Sequence, residues 1–211
     1  MNSQFKRVLI LAPHTDDGEL GAGGTIAQLI EQGASIHYVA FSTAEESVPD
    51  GMPKDILKTE VKAATSKLGI RSDHLHIFNF QVRKLNYHRQ EILEKLIKLR
   101  SSINPDLVLM PSLKDIHQDH LTIAEEGLRA FKKTTVLGYE LIWNNLNFNS
   151  CAFIKLEKSD LEKKCEALYE YSSQRGRDYM SRDFIYSLAK IRGVQIGADY
   201  AECFEVIRWI V

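Results

Sequence analysis

At 211 residues the chain is a suitable length for one α/β domain. Lys and Arg total 27 against 28 Asp and Glu, so no basic surplus exists to hold a nucleic-acid backbone or an anionic membrane surface. Hydrophobic residues make up 44%, enough for a sizeable core, yet no apolar run is long enough to cross a bilayer. Residues 1–7 enter a short apolar run and lack the longer apolar core of a secretory leader. Cys151, Cys165 and Cys203 are odd in number, widely spaced and outside any CxxC pattern. They read as reduced, mostly buried thiols, which points to the cytoplasm.

Apolar β-branched runs alternate with helical patterns along the chain. Residues 7–12 form a continuous apolar run stopped by Pro13, as in a strand buried on both faces. A helix is predicted over 21–32, with Gly33 as its stop. A second strand spans 35–41. The polar stretch 42–53, with Pro49, Gly51 and Pro53, is predicted to be a surface loop and a candidate lid. A helix follows over 54–68 up to Gly69, then a strand over 74–80 and a helix over 87–103. Residues 106–110 are a fourth, buried strand. Residues 124–131 read as a helix and 134–143 as a strand. Beyond them come a strand over 151–156, a helix from a capping box at Ser159-Asp160-Leu161-Glu162 to about Tyr171, a helix over 179–191 and a closing strand over 202–211. This β-α rhythm predicts a Rossmann-like α/β fold, a mostly parallel sheet with helices on both faces. No repeat or linker divides it, so 1–211 is read as a single domain.

The glycine-rich segment Gly21-Ala22-Gly23-Gly24-Thr25-Ile26 follows the first strand and opens a helix, the placement of a dinucleotide site. The match is poor, because Ile26 stands where a third glycine is needed. Asp16, Asp17 and Glu19 would also confront the pyrophosphate with like charge. Close packing of helix on sheet is the better reading of these glycines.

Two short clusters follow strands that a parallel sheet sets side by side. Pro13-His14-Thr15-Asp16-Asp17 comes after the first strand, and Asp115-Ile116-His117-Gln118-Asp119-His120 follows the fourth. Ligands in such sheets bind beyond the carboxyl ends of the strands, so both clusters reach one rim. Two imidazoles and a carboxylate suit a catalytic metal that keeps one position for water. A carboxylate outside the ligand set can take the proton from that water, and a further histidine can stabilise an oxyanion. The residues alone do not say which of Asp16 and Asp17 is ligand and which is base. His37, His74, His76 and His88 have no partner cluster and read as structural.

These residues carry a resemblance. Pro13-His14-Thr15-Asp16-Asp17-Gly18-Glu19-Leu20-Gly21-Ala22-Gly23-Gly24-Thr25-Ile26 resembles the signature of the PIG-L / LmbE-like N-acetylglucosaminyl deacetylase family, and His117-Gln118-Asp119-His120 its H-x-D-H motif. Glu60, Ala64 and Leu68-Gly69 resemble a helix of that family. Ser172-Ser173-Gln174 and Ala201-Glu202-Cys203-Phe204 resemble its C-terminal segments.

The resemblance implies a hydrolase that removes the acetyl group from an N-acetylated amino sugar. Zn²⁺ would be held by His14, Asp17 and His120, with Fe²⁺ the other candidate. It implies Asp16 as general base, His117 as the electrophilic or acid histidine, and Asp119 orienting His117 and keeping it protonated. A homo-oligomer is also an expectation from the resemblance.

Thr15 departs from the family's usual proline, and Gly18 stands where many members have glutamate, with Glu19 one position later. In Gln81-Val82-Arg83-Lys84-Leu85, Arg83 is the candidate for a substrate hydroxyl or carboxylate. Trp143 with Asn144, Asn145 and Asn147 follows the fifth strand on the same rim and suits a sugar. The alternatives are an amidase for another substrate, a non-catalytic sugar-binding protein and an NAD-dependent oxidoreductase.

Overall fold

The computed structural model describes residues 4–210. Among these, seven strands form one sheet in the order β3-β2-β1-β4-β5-β7-β6. β1 (Arg7–Ala12), β2 (Ser35–Ala40), β3 (Leu75–Ile77), β4 (Leu107–Pro111) and β5 (Thr135–Tyr139) run parallel. β7 (Tyr200–Arg208) is antiparallel to both β5 and β6 (Ala152–Leu156). The expected mostly parallel α/β architecture is therefore present, with an antiparallel end.

Alternation along β1 separates two cores. Val8, Ile10 and Ala12 face a core with α1 (Asp17–Glu31), α2 (Ile56–Leu68) and α5 (Lys158–Tyr169), while Leu9 and Leu11 face α3 (Arg89–Ile103) and α4 (Gln118–Ala130). Residues 8–12 have no exposed surface, which is why they read as one unbroken apolar run. α6 (Arg182–Val194) packs against β7. No helix among the described residues is long and apolar enough to cross a membrane.

Several boundaries differ from those predicted, each for a local reason. β3 is shorter than 74–80 because it lies at the sheet edge. Phe78 and Phe80 still donate backbone bonds to Ala40 and Phe41 at 2.8 and 3.1 Å, outside a regular ladder. β5 stops at Tyr139 because the chain turns at Leu141, whose N–H donates to Asn145 Oδ1 at 2.7 Å. α4 begins at Gln118, six residues before the predicted start, because its first turn is polar and His117 caps it. The capping box of α5 is Glu157 with Asp160 rather than Ser159 with Glu162. α6 runs over 182–194 rather than 179–191, with Ser181 Oγ accepting from the Phe184 N–H at 3.2 Å. In the stretch 42–53, residues 42–44 and Val48 are buried, so only parts of it are surface loop. Cys165 and Cys203 are buried, whereas Cys151 is exposed. Val211, the predicted end of the last strand, lies outside the described residues.

α1 starts at Asp17 and kinks at Ala22, whose φ and ψ are -146° and 17°. The kink frees backbone donors that Glu202 takes up, at 3.1 Å from Gly24 N and 2.7 Å from Thr25 N. A Cβ at Gly21 would collide with the Tyr139 ring, and one at Gly24 would lie 2.5 Å from Leu156. The glycines thus serve close packing, and a protein carboxylate occupies the place a pyrophosphate would need.

Candidate metal centre

β1 is flanked by β2 and β4, so the crevice between β1 and β4 is where the chain order reverses. Ligands of open α/β sheets bind at this position. The loop after β1 carries His14, Asp16 and Asp17, and the segment after β4 carries Asp115, His117, Asp119 and His120. The sheet brings both clusters together.

Three donor atoms form a near-equilateral triangle. His14 Nδ1 lies 3.2 Å from Asp17 Oδ2 and 3.2 Å from His120 Nε2, and His120 Nε2 lies 3.3 Å from Asp17 Oδ2. A tetrahedral ion with bonds of ~2.0–2.1 Å separates its ligands by ~3.3–3.4 Å, so these atoms fit three corners of such a site. The nitrogens of His14, His117 and His120 also come within 4.8 Å of one another. That looser set is the weaker candidate, because His117 Nδ1 already accepts the Asp119 N–H at 3.1 Å.

The outer nitrogen of each imidazole in the triangle meets a carboxylate. His14 Nε2 is 3.0 Å from Asp119 Oδ2, and His120 Nδ1 is 2.7 Å from Asp115 Oδ2. Such partners fix the ring and its tautomer. The expectation that Asp119 orients His117 is corrected here. Its carboxylate turns to His14 and to the backbone N–H groups of Arg83 and Leu85, at 2.6 and 3.2 Å. Only its backbone reaches His117. Asp115 was not singled out in the sequence, since nothing but its place in the cluster marked it.

Electrostatics divide the two adjacent aspartates. Burial opposes charge on Asp17, but His120 and His14 outweigh it and hold this carboxyl well below the usual range. Asp16 is raised to about 6, first by burial and then by repulsion from Asp17. Burial also opposes charge on His14 and His120, yet their carboxylates raise them to about 9 and about 10. His117 goes the other way, to about 4, through burial and then the charges of His120 and His14. It is neutral at neutral pH, contrary to the expectation that it is kept protonated. With Nδ1 accepting, its one proton sits on Nε2.

The comparisons with known proteins fit this geometry. Residues 9–131 match the family model described as PIG-L, GlcNAc-PI de-N-acetylase. The chain belongs to the PIG-L family. Among relatives, the diacetylchitobiose deacetylase of Thermococcus kodakarensis is 29% identical over 61% of this chain and 50% of its own length. The 4-oxalmesaconate hydratase of Pseudomonas putida is also 29% identical, over 57% and 49%. The chain thus spans about half the length of these curated relatives. A conserved protein of Thermus thermophilus shares the fold at a TM-score of 0.81 and 25% identity, covering 97% of this chain and 95% of that one.

In this PIG-L protein the triangle lies in a cleft of about 360 Å³. Its lining includes Asp16, His117, Arg83, Trp143, Arg177 and Tyr179. Arg83 has a left-handed backbone, φ 64°, and its exposed side chain reaches Ser47 Oγ at 3.3 Å. Trp143 stacks on Tyr179, with ring centroids 4.1 Å apart. Asn144 lines the cleft, whereas the Asn145 side chain closes a turn. Gln174 and Arg177 were not singled out as cleft residues, because the 3₁₀ turns of 172–180 carry no periodic signal. Behind the metal motif, the buried Glu19 accepts from the hydroxyls of Tyr38 and Tyr171, and both hydroxyls also meet the Thr15 carbonyl. This clamp holds the loop between His14 and Asp16 from behind.

Proposed function

We propose that this protein is a cytoplasmic, metal-dependent deacetylase that cleaves the acetamide of an N-acetylated amino sugar or its conjugate. The reading treats 1–211 as one catalytic domain. The observation that carries it is the triangle of His14, Asp17 and His120, with edges of 3.2, 3.2 and 3.3 Å. Zn²⁺ is the assigned ion, and Fe²⁺ suits the same donors. When bound, the ion supplies Lewis acidity and lowers the pKa of a water toward ~7.

The chain's own residues then divide the proton work. Asp16, near 6, is ionised at neutral pH and takes a proton from the attacking water. His117, neutral with its proton on Nε2, donates a hydrogen bond to the developing oxyanion and keeps its proton. Asp16 passes its proton to the leaving nitrogen as the C–N bond breaks, so water and amide become acetate and a free amine. Asp119 and Asp115 hold the rings of His14 and His120 in register. The family's sugar-deacetylase members support the substrate class, and three free thiols suit a reducing compartment.

Acetate release from a panel of N-acetyl sugars and glycosides tests the reading. Activity should vanish with chelator and return with zinc. Asp16→Asn should keep the metal and lose ~10²–10⁴-fold in kcat. Full turnover in metal-stripped protein would refute the mechanism. A second reading, addition of water to an unsaturated carboxylate, is favoured by the hydratase relative. It predicts loss of enoate absorbance and no acetate from any sugar.

A further inference from the structure

The break in α1 at Ala22 is bridged from outside the helix. In a regular helix the Gly24 N–H would donate to the Leu20 carbonyl. Here the Leu20 carbonyl accepts from Lys164 Nζ at 2.7 Å, and the same ammonium donates to Glu202 Oε1 at 2.7 Å. That oxygen in turn accepts the Gly24 N–H at 3.1 Å, while Glu202 Oε2 takes the next donor, Thr25 N, at 2.7 Å. An ion pair reaching in from α5 and β7 thus stands in for one backbone bond, and both of its side chains are buried.

The glycines around Ala22 permit the break but do not demand it. Alanine is the strongest helix former, and a straight helix would make its own bonds. It would also offer a carbonyl to the buried Thr25 hydroxyl, which has no partner among the described residues. Burying an ammonium and a carboxylate carries a desolvation cost that a plain helical bond avoids. The chain makes room for the pair as well. The Lys164 stem passes over Gly23, where a Cβ would lie 2.8 Å from Lys164 Cγ. A buried pair kept on these terms fits a demand for direction rather than for stability.

The bridged end of the helix carries the site. The Leu20 N–H donates to the Asp16 carbonyl at 3.0 Å, so the residue that Lys164 grips closes the single turn from Asp16 to Leu20. That turn holds Asp17 at the triangle and Asp16 beside it. We propose that Lys164 and Glu202 are positioning residues. By replacing the Gly24–Leu20 bond they fix the direction in which this turn presents Asp17 to the metal and Asp16 to the water. The assignment rests on the metal-dependent reading of the site and adds two residues that do not line the metal cleft.

The test uses the full chain and the double variant Lys164→Met, Glu202→Leu, which removes both charges together and lets α1 close its own bond. Competition with a chromogenic chelator gives zinc affinity, the denaturant midpoint of metal-free protein gives stability, and acetate release at saturating zinc gives turnover. Leu96→Ala, in the core on the other face of the sheet, controls for general destabilisation. The double variant should bind zinc ~10-fold or more weakly, as when a partner behind a ligand is lost. Its kcat should fall ~10²-fold with KM little changed, the cost of a misplaced reacting group. Leu96→Ala should lose stability and change neither. Glu202→Gln keeps the shape but can accept only one of the two N–H groups, so it should fall between wild type and the double variant. Zinc affinity and kcat no lower in the double variant than in Leu96→Ala overturn the proposal, whatever the stability, and leave the pair a structural filling. The zinc readout is independent of substrate. If wild type binds zinc but releases no acetate from any N-acetyl sugar, the deacetylase reading fails, and zinc affinity alone decides the role of the pair. A wild type that binds no zinc overturns both.

Discussion

Two groups of three imidazoles lie on this sheet, and only one supplies ligands to the proposed metal site. His14, His117 and His120 sit at the β1–β4 crevice, while His37, His74 and His76 share one face of the β2–β3 edge. The edge group packs in close pairs, although its ring nitrogens do not converge on one point as those of the crevice do. His37 stacks on His74 with ring centroids 3.9 Å apart, and its Nδ1 lies 3.4 Å from His76 Nε2. Yet their electrostatics are opposed. Burial and the neighbouring His74 push His37 down to about 4 and lower His76 too, whereas His14 and His120 rise to about 9 and about 10. The difference is carboxylates. Asp17 lies between the two raised histidines, with Asp119 and Asp115 on their outer nitrogens. No carboxylate pairs with the edge group among the described residues. Proximity of imidazoles does not make a cation site without negative charge to offset the ion.

The largest expected effect breaks the crevice and spares the edge. His120→Ala should reduce bound zinc from about one ion per chain to none and take activity to background. The double variant His37→Ala, His76→Ala should keep the full metal content. Elemental analysis of both decides this. Metal lost from the edge variant and kept by His120→Ala would reverse the assignment.

A smaller effect isolates the carboxylates. Asp115→Asn keeps the shape of the side chain but removes the charge behind His120, so zinc affinity should fall ~10–100-fold. Competition with a chromogenic chelator measures it. Asp119→Asn should weaken zinc similarly and also lower stability, because its carboxylate holds the Arg83 and Leu85 N–H groups. Unchanged affinity in Asp115→Asn would mean that its charge is not what separates the two histidine groups.

Much of the crevice was legible in the sequence, because its residues come in two short clusters directly after strands. Buried runs such as 107–110 marked the strands, and the parallel order set the clusters side by side. The orientation of Asp119 was not legible. It caps no ring nearby in sequence but crosses 105 positions to His14, a contact that only the β1–β4 pairing creates. The start of α4 was missed for a related reason. Its first turn is written in site residues rather than in an apolar period, so periodicity sees only its later half. Glu202 looked like a supporting motif, and its role appeared only with the kink at Ala22, whose open donors it fills. Contacts far apart in the chain, and polar residues serving two purposes, are where local pattern reading stops.

The edge group itself yields the smallest effect, and its sign is fixed by linkage. His37 has an ordinary value of 6.5 and about 4 in the fold. Between those values the unfolded chain binds the proton more readily, so stability rises with pH across that window and is lost as pH falls through it. His37→Gln removes the group that must stay neutral. The variant should therefore lose less stability than wild type between pH 7 and pH 5. His37 is partly exposed and screened, so the difference should be below about 1 kcal/mol. Denaturant midpoints of both proteins at the two pH values measure it as a double difference, in which acid effects at the crevice cancel. Equal losses would show that the edge imidazoles sit in the fold without electrostatic cost, and the contrast between the two groups would then rest on the carboxylates of the crevice alone.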